Sequence, residues 1–243
     1  MLEKVFEPTL PKWSTVLGVA AVEQPIYAGS RRYRIEAGPV IDIRYYDIAF
    51  ASVGEGLGVN LLRGETYRAG VAVGYDLGRR VQDDYSHLHG LGDIRPAPMI
   101  KLFGSWVLSK QFPMDLRADV REIVGRGAHE MLADVDAFMP LPGSSKTFVM
   151  FAGPSITFAN GLYTQKTFGV SAAQSAASGY RTFDAHGGAN AIGLGFSATR
   201  FITPHWLINS DLAVNRLLGG ARDSPITQTQ VANLFEITTS YRW

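Results

Sequence analysis

Apolar and polar residues alternate one by one along most of this chain, in stretches of about 9 to 13 residues. From Thr66 to Leu77 one face reads Tyr67, Ala69, Val71, Val73, Tyr75 and Leu77, and the other reads Thr66, Arg68, Gly70, Ala72, Gly74 and Asp76. A period of two is that of a β-strand, and this length is what a tilted strand needs to cross bilayer hydrocarbon. Tyrosines at both ends of the apolar face suit the two membrane interfaces. The stretch Ile35–Tyr45 sets Ile35, Ala37, Pro39, Ile41, Ile43 and Tyr45 against Arg34, Glu36, Gly38, Val40, Asp42 and Arg44. In Phe112–Val124, Met114, Leu116, Ala118 and Val120 alternate with Asp115, Arg117, Asp119 and Arg121, followed by Met131 to Met139 against Glu130, Asp134 and Asp136. Phe148 to Phe158 and Ile192 to Ala198 supply two more apolar faces.

A soluble β-sandwich also alternates, but its strands are shorter and its inner face would not carry such a ladder of charges. The pattern therefore predicts an all-β, closed antiparallel transmembrane barrel. Its strands fall at 13–24, 33–44, 46–53, 56–63, 66–77, 94–108, 112–124, 129–139, 147–158, 183–199, 205–217 and 231–243. That is twelve strands, or ten if the short glycine-rich pair around Gly54, Gly56 and Gly58 is one irregular strand. Residues 13–243 are then a single barrel domain after a periplasmic segment, 1–12. An even count puts both termini in the periplasm, with long connections 78–93, 159–182 and 218–230 outside and short ones such as Arg63–Glu65 and Ser109–Gln111 inside. The run Ser171–Ala177 is rich in helix-compatible residues and predicts a short helix within 159–182.

By parity the lumen should receive Arg34, Glu36, Asp42, Arg44, Arg68, Arg95, Lys101, Asp115, Arg117, Asp119, Arg121, Glu130, Asp134, Asp136, Glu236 and Arg242. Balanced charges of this kind neutralise one another or line a solute path. The chain ends in alternation up to Tyr241 and Trp243, which resembles the terminal signal by which barrel-assembly machinery recognises outer-membrane proteins of Gram-negative bacteria.

Composition narrows the picture little. A formal net charge of +1 without a basic stripe sets nucleic acid aside, and the absence of cysteine suits an oxidising envelope. No apolar run reaches the length of a spanning helix, and Met1–Pro11 is too acidic and proline-rich for a signal peptide. The expected form is therefore a mature one, exported on a signal peptide not present in the chain. The one chemically suggestive cluster is Asp83, Asp84, Tyr85, Ser86, His87, Leu88 and His89 with Asp93, which could activate water or hold a metal. A solvated loop accounts for it better, so no catalytic, cofactor or metal residue is expected. Ser224 lacks a nucleophile elbow and reads as a turn, and Gly54–Gly58 lacks the helix of a dinucleotide fingerprint.

Several short blocks resemble the MipA/OmpV family of MltA-interacting proteins. Pro25, Tyr27, Gly29 and Ser30 are similar to its P-x-Y-x-G-S loop, Gly78-Arg79 to its G-R pair, and Leu88–Ile94, with Gly90, Leu91 and Asp93, to L-x-G-L-G-D-I. Phe168-Gly169 with Ser178-Gly179, and Asp223-Ser224-Pro225, match two later blocks in family order. The resemblance implies an outer-membrane barrel acting as a scaffold between a murein-degrading lytic transglycosylase and a murein synthase. A narrow solute channel and an adhesin-like surface protein are the alternatives, and no residue of the scaffold contact can be read from these motifs.

Overall fold

The computed structural model describes residues 12–108, 113–127 and 129–243, which form one closed antiparallel barrel of twelve strands. These are β1 (Trp13–Pro25), β2 (Tyr33–Tyr45), β3 (Ala49–Ser52), β4 (Gly56–Arg63), β5 (Tyr67–Asp76), β6 (Ala97–Val107), β7 (Asp115–Ile123), β8 (Glu130–Pro140), β9 (Phe148–Ala159), β10 (Gly188–Phe201), β11 (Trp206–Leu217) and β12 (Val231–Arg242). Each strand pairs with its neighbour in sequence. β12 returns to β1, from Glu23↔Phe235 to Val16↔Arg242, so the ring closes. Ser109–Gln111 and most of the N-terminal segment lie outside the described residues.

Alternation works here in the opposite sense to a soluble core. Exposed apolar strand residues such as Val19 at 66% and Leu194 at 64% are on the outer surface, where hydrocarbon would cover them. Aromatic side chains gather at the end that carries both termini. There Trp13 packs tilted against Tyr45 with ring centroids 4.7 Å apart, and Tyr241 packs against Trp243 at 4.5 Å and Trp206 at 5.3 Å. Such amphipathic rings suit the interface, where one edge is wet and the other apolar.

Several strand ends differ from those the alternation suggested. The sixth strand begins at Ala97 and not at 94, because Ile94 exchanges both backbone hydrogen bonds with Arg79. Arg95 therefore lies before the strand and is exposed. The tenth strand starts at Gly188 and not at 183, since Phe183 pairs with Val170 instead. The third strand has only 4 residues.

All the long connections emerge at the end opposite the termini and carry short helices: α1 (Tyr85–Leu88), α2 (Gly161–Phe168), α3 (Ala172–Ser178) and α4 (Gly219–Asp223). Thus 159–182 holds two helices rather than one. Ser171 and Gln174 form a reciprocal cap that starts α3, and Gly179 in the left-handed region ends it.

Lipid outside and water inside make the two faces unequal. Replacing Val120, on the outer face of β7, by Arg should destabilise the barrel by about 2–4 kcal/mol. Replacing its inward neighbour Arg121 by Ala should cost roughly 1 kcal/mol. Equilibrium unfolding in lipid vesicles measures both, and the reverse order would mean the faces are inverted.

Candidate functional site

The inner wall sorts its charges mostly within single strands, two residues apart. Arg44 donates to Asp42 at 2.8 Å and to Glu55 at 2.7 Å, and Arg117 donates to Asp115 at 2.9 Å; Arg121 lies 3.0 Å from Asp119, and Arg34 lies 3.3 Å from Glu36. Across strands, Arg121 meets Asp134, Arg117 stands opposite Asp136, and Arg68 lies 4.0 Å from Asp47. Lys101 sits over the Phe103 ring at 5.8 Å, and Arg242 over Phe201 at 5.5 Å. Glu130 is bound by Arg126 at 3.1 Å, and Glu236 accepts from Thr238 at 3.0 Å. The lumen is thus braced by ion pairs on β2–β8, while β9–β12 turn fewer charges inward, Asp211, Glu236 and Arg242 standing among hydroxyl and amide side chains such as Ser197, Thr199 and Asn209.

The more specific site is at the capped end. Tyr27, Leu88, Leu91, Val170 and Ile226 come from four separate connections and form one buried apolar cluster, with Ile26, Val81, Tyr180 and Phe183 packed against it. A second cluster of Phe168, Ala185, Leu217 and Ala221 joins the cap to the rim of the wall. Loops seldom bury such cores. Here polar ties hold the connections together. Arg79 donates to the Thr167 carbonyl at 2.9 Å and lies 5.9 Å from the Tyr27 ring. Gln174 donates to the Leu91 carbonyl, and Ser224 to the Phe168 carbonyl at 2.6 Å. Asp93 accepts from the Val81 N–H at 2.7 Å. Gly90 has φ 75° and sits where a Cβ would lie 2.6 Å from the Ser178 nitrogen.

At the centre is Asp84, with its side chain fully buried. It accepts from Arg32 at 3.0 Å, Ser86 at 2.9 Å and Gln228 at 3.4 Å, with His87 Nδ1 at 3.1 Å. Gln228 also donates to the Tyr27 hydroxyl. Burial disfavours the Asp84 carboxylate, yet the hydrogen bonds from His87, Ser86 and Arg32 outweigh it and hold the group below the usual aspartate range. Burial pushes the Tyr27 phenol up to about 12, so it stays a neutral hydroxyl.

The sequence blocks 25–30, 78–79, 88–94, 168–179 and 223–225 therefore meet in one place, although Asp223 itself is exposed and paired to Arg222 at 2.7 Å. Asp84 is a buried tie and not part of a solvated loop. His87 and His89 diverge from a helical turn, His89 lying against the Tyr85 ring at 6.0 Å. Among the described residues no group of three acidic, histidine or cysteine side chains is placed to hold a metal. Sequence reasoning missed Arg32 and Gln228. Nothing but their neighbourhood to the Pro25–Ser30 and Asp223–Ile226 blocks could have marked them.

These features define a transmembrane β-barrel of the outer-membrane type, braced inside by ion pairs and covered at one end by a folded cap. The chain belongs to the family of MltA-interacting protein MipA, whose model matches residues 17–243. No curated protein is significantly similar in sequence. Among solved structures the chain is similar to the NanC porin (12% identity, 93% of this chain and 98% of that one, TM-score 0.47). It is also similar to the COG4313 outer membrane channel of Pseudomonas putida F1 (9%, 96% and 96%, 0.45). A third is the outer membrane channel DcaP of Acinetobacter baumannii (9%, 95% and 96%, 0.42). At this level the likeness is one of barrel outline alone.

Asp84→Asn and Gly90→Ala should each loosen the cap while the barrel stays folded. The opening should ease by about 1–3 kcal/mol, or roughly ten- to a hundred-fold faster proteolysis within 78–93 and 160–187. Because the Asp84 pKa is lowered, its contribution is complete above about pH 4 and is lost as pH falls through the lowered value. Limited proteolysis at neutral pH and near pH 3 checks both statements; a wild-type cap equally resistant at the two would contradict the second.

Proposed function

We propose that this protein is a non-enzymatic scaffold barrel of the outer membrane, presenting its short-turn end to murein-remodelling enzymes in the periplasm. Outer-membrane barrels carry short turns inside and long loops outside, so the capped end faces out and both termini face in. The single observation that carries the reading is the cap. A mouth covered by the buried cluster of Tyr27, Leu88, Leu91, Val170 and Ile226 suits an interaction protein better than an open pore. The paired lumen charges support it, since an arginine held by carboxylates, as Arg44 is by Asp42 and Glu55, is a poorer solute ligand than a free one. Family membership supplies the partner class, a murein hydrolase with a murein synthase. The bilayer and the barrel-assembly machinery, reading Tyr241 and Trp243, complete the partners.

A narrow channel is the second reading. It is favoured by the hydroxyl- and amide-lined wall of β9–β12, where Asn209 accepts from Thr199 at 2.7 Å.

Two measurements separate the readings. Affinity capture from detergent-solubilised envelope should retrieve a lytic transglycosylase or a penicillin-binding protein, and the purified barrel should show no steady conductance in a planar bilayer. Asp84→Asn should raise conductance if the cap is the seal. Steady wild-type conductance with no murein enzyme captured would favour the channel.

A further inference from the structure

The wall of the barrel is not of even height. β3 has 4 residues and β4 has 8, where β2 has 13 and β5 has 10. At the short-turn end they start level with their neighbours, Tyr45 pairing with Ala49 and Arg63 with Arg68. Towards the cap they stop early. The last pairs are Asp42↔Ser52 on one side and Leu57↔Val73 on the other, and the turn 53–55 joins them partway up the wall. Among the described residues no strand lies between β2 and β5 above that turn, and no pairing joins those two strands to each other. Two missing strands leave roughly 14 Å between strand axes and on the order of 10 Å of missing wall.

The notch is framed on all sides. β2 and β5 flank it, and the turn closes it below. Above, Arg32 reaches Asp84 at 3.0 Å and Arg34 reaches Asp83 at 3.4 Å, tying the top of β2 to the segment after β5. Residues 35–39 of β2 are exposed on both faces, and a side chain at Gly38 would meet nothing within 4 Å.

The frame's chemistry is divided. Outside, Ile35, Val53, Leu57, Val73 and Tyr75 are exposed apolar side chains. Within, the strand edge is polar. Ile41 gives its carbonyl to Val53, away from β1, whereas Tyr46 donates towards Lys12 at the start of β1. Backbone direction alternates, so Ile35, Ala37 and Pro39 turn their peptide groups into the notch. Pro39 has no N–H, which leaves Ile35 and Ala37 as donors and all three carbonyls as acceptors. Pure hydrocarbon cannot satisfy them. The Arg34–Glu36 pair and Glu55 lie on the lumen side of the same edge.

We propose that the notch is a lateral binding site for a lipid of the leaflet on the capped side. A hydroxyl-rich head enters between β2 and β5, and the acyl tail stays in the bilayer. Hydroxyls both donate and accept, which matches an edge offering N–H, C=O and a balanced ion pair. The cap blocks the axial route, so the head arrives sideways from the membrane. An extended strand from a partner is the less suited occupant, because Pro39 removes a ladder donor in the middle of the edge.

The chain contains no cysteine, so one label can be placed cleanly. Gly38→Cys carries an environment-sensitive fluorophore at the notch, Val40→Cys is a second position there, and Ala213→Cys on β11 reports the lumen behind complete wall. Each is refolded into phosphatidylcholine vesicles and titrated with dodecyl maltoside. A saturable change at Gly38 and Val40 but not Ala213 is expected, with maltose or dodecylphosphocholine at least about ten-fold weaker, the worth of roughly one lost hydrogen bond. No change at the notch labels, or an equal change at Ala213, overturns the proposal. So does slow exchange of the Ile35 and Ala37 amides in native envelopes that dodecyl maltoside leaves unaltered, which would assign the edge to a partner strand.

Discussion

Hydrocarbon offers no hydrogen bonds, so a chain that crosses it must pair its own backbone groups all the way round. Every other feature of this molecule follows from how that demand is met. β12 returns to β1 over eight registered residue pairs, from Glu23↔Phe235 to Val16↔Arg242, and this seam turns a meander into a ring. Closure fixes parity. Once Val19 and Leu194 face lipid, residues one step along must face water, and the lumen inherits the charges.

Those charges are then settled locally. Same-strand pairs such as Asp115–Arg117 and Asp119–Arg121 need no partner from across the barrel, so the wall can carry them without filling its interior with an apolar core. The apolar core is displaced to the cap, where single residues from distant connections meet around Asp84. Arg126 performs a related task at the rim. It is nearly buried and bonds to Asp76, Glu130 at 3.1 Å and the Arg95 carbonyl at 2.7 Å, tying three strand ends together. Rigid loops over a braced barrel make a surface that holds its shape. The notch between β2 and β5 is where backbone pairing is left open, and its polar edge is therefore a site rather than a flaw in the wall.

The barrel was legible because lipid on one side and water on the other force strict alternation, which survives in sequence without any alignment. Strand ends were less so. Phe183 and Ala185 continue the alternation of β10, yet they belong to the cap, where Phe183 pairs with Val170. Arg95 likewise lies outside β6. The cap itself has no period: Tyr27, Leu91, Val170 and Ile226 are isolated apolar residues, and only the family blocks marked their neighbourhoods. Asp84 looked like a loop carboxylate because its partners lie 52 and 144 residues away at Arg32 and Gln228. The notch was half visible, as short glycine-rich strands around Gly54 to Gly58, but wall height appears only once register is known.

The claim that a folded cap closes one end of the barrel is tested most directly by amide hydrogen exchange in bilayers, read peptide by peptide. A folded cap predicts slow exchange at Leu91, Gly169, Val170 and Phe183, whose amides are bonded within the cap, while the exposed amide of Gly54 in the turn 53–55 exchanges fast. Cap amides exchanging as fast as that turn, with the strands still protected, would contradict it.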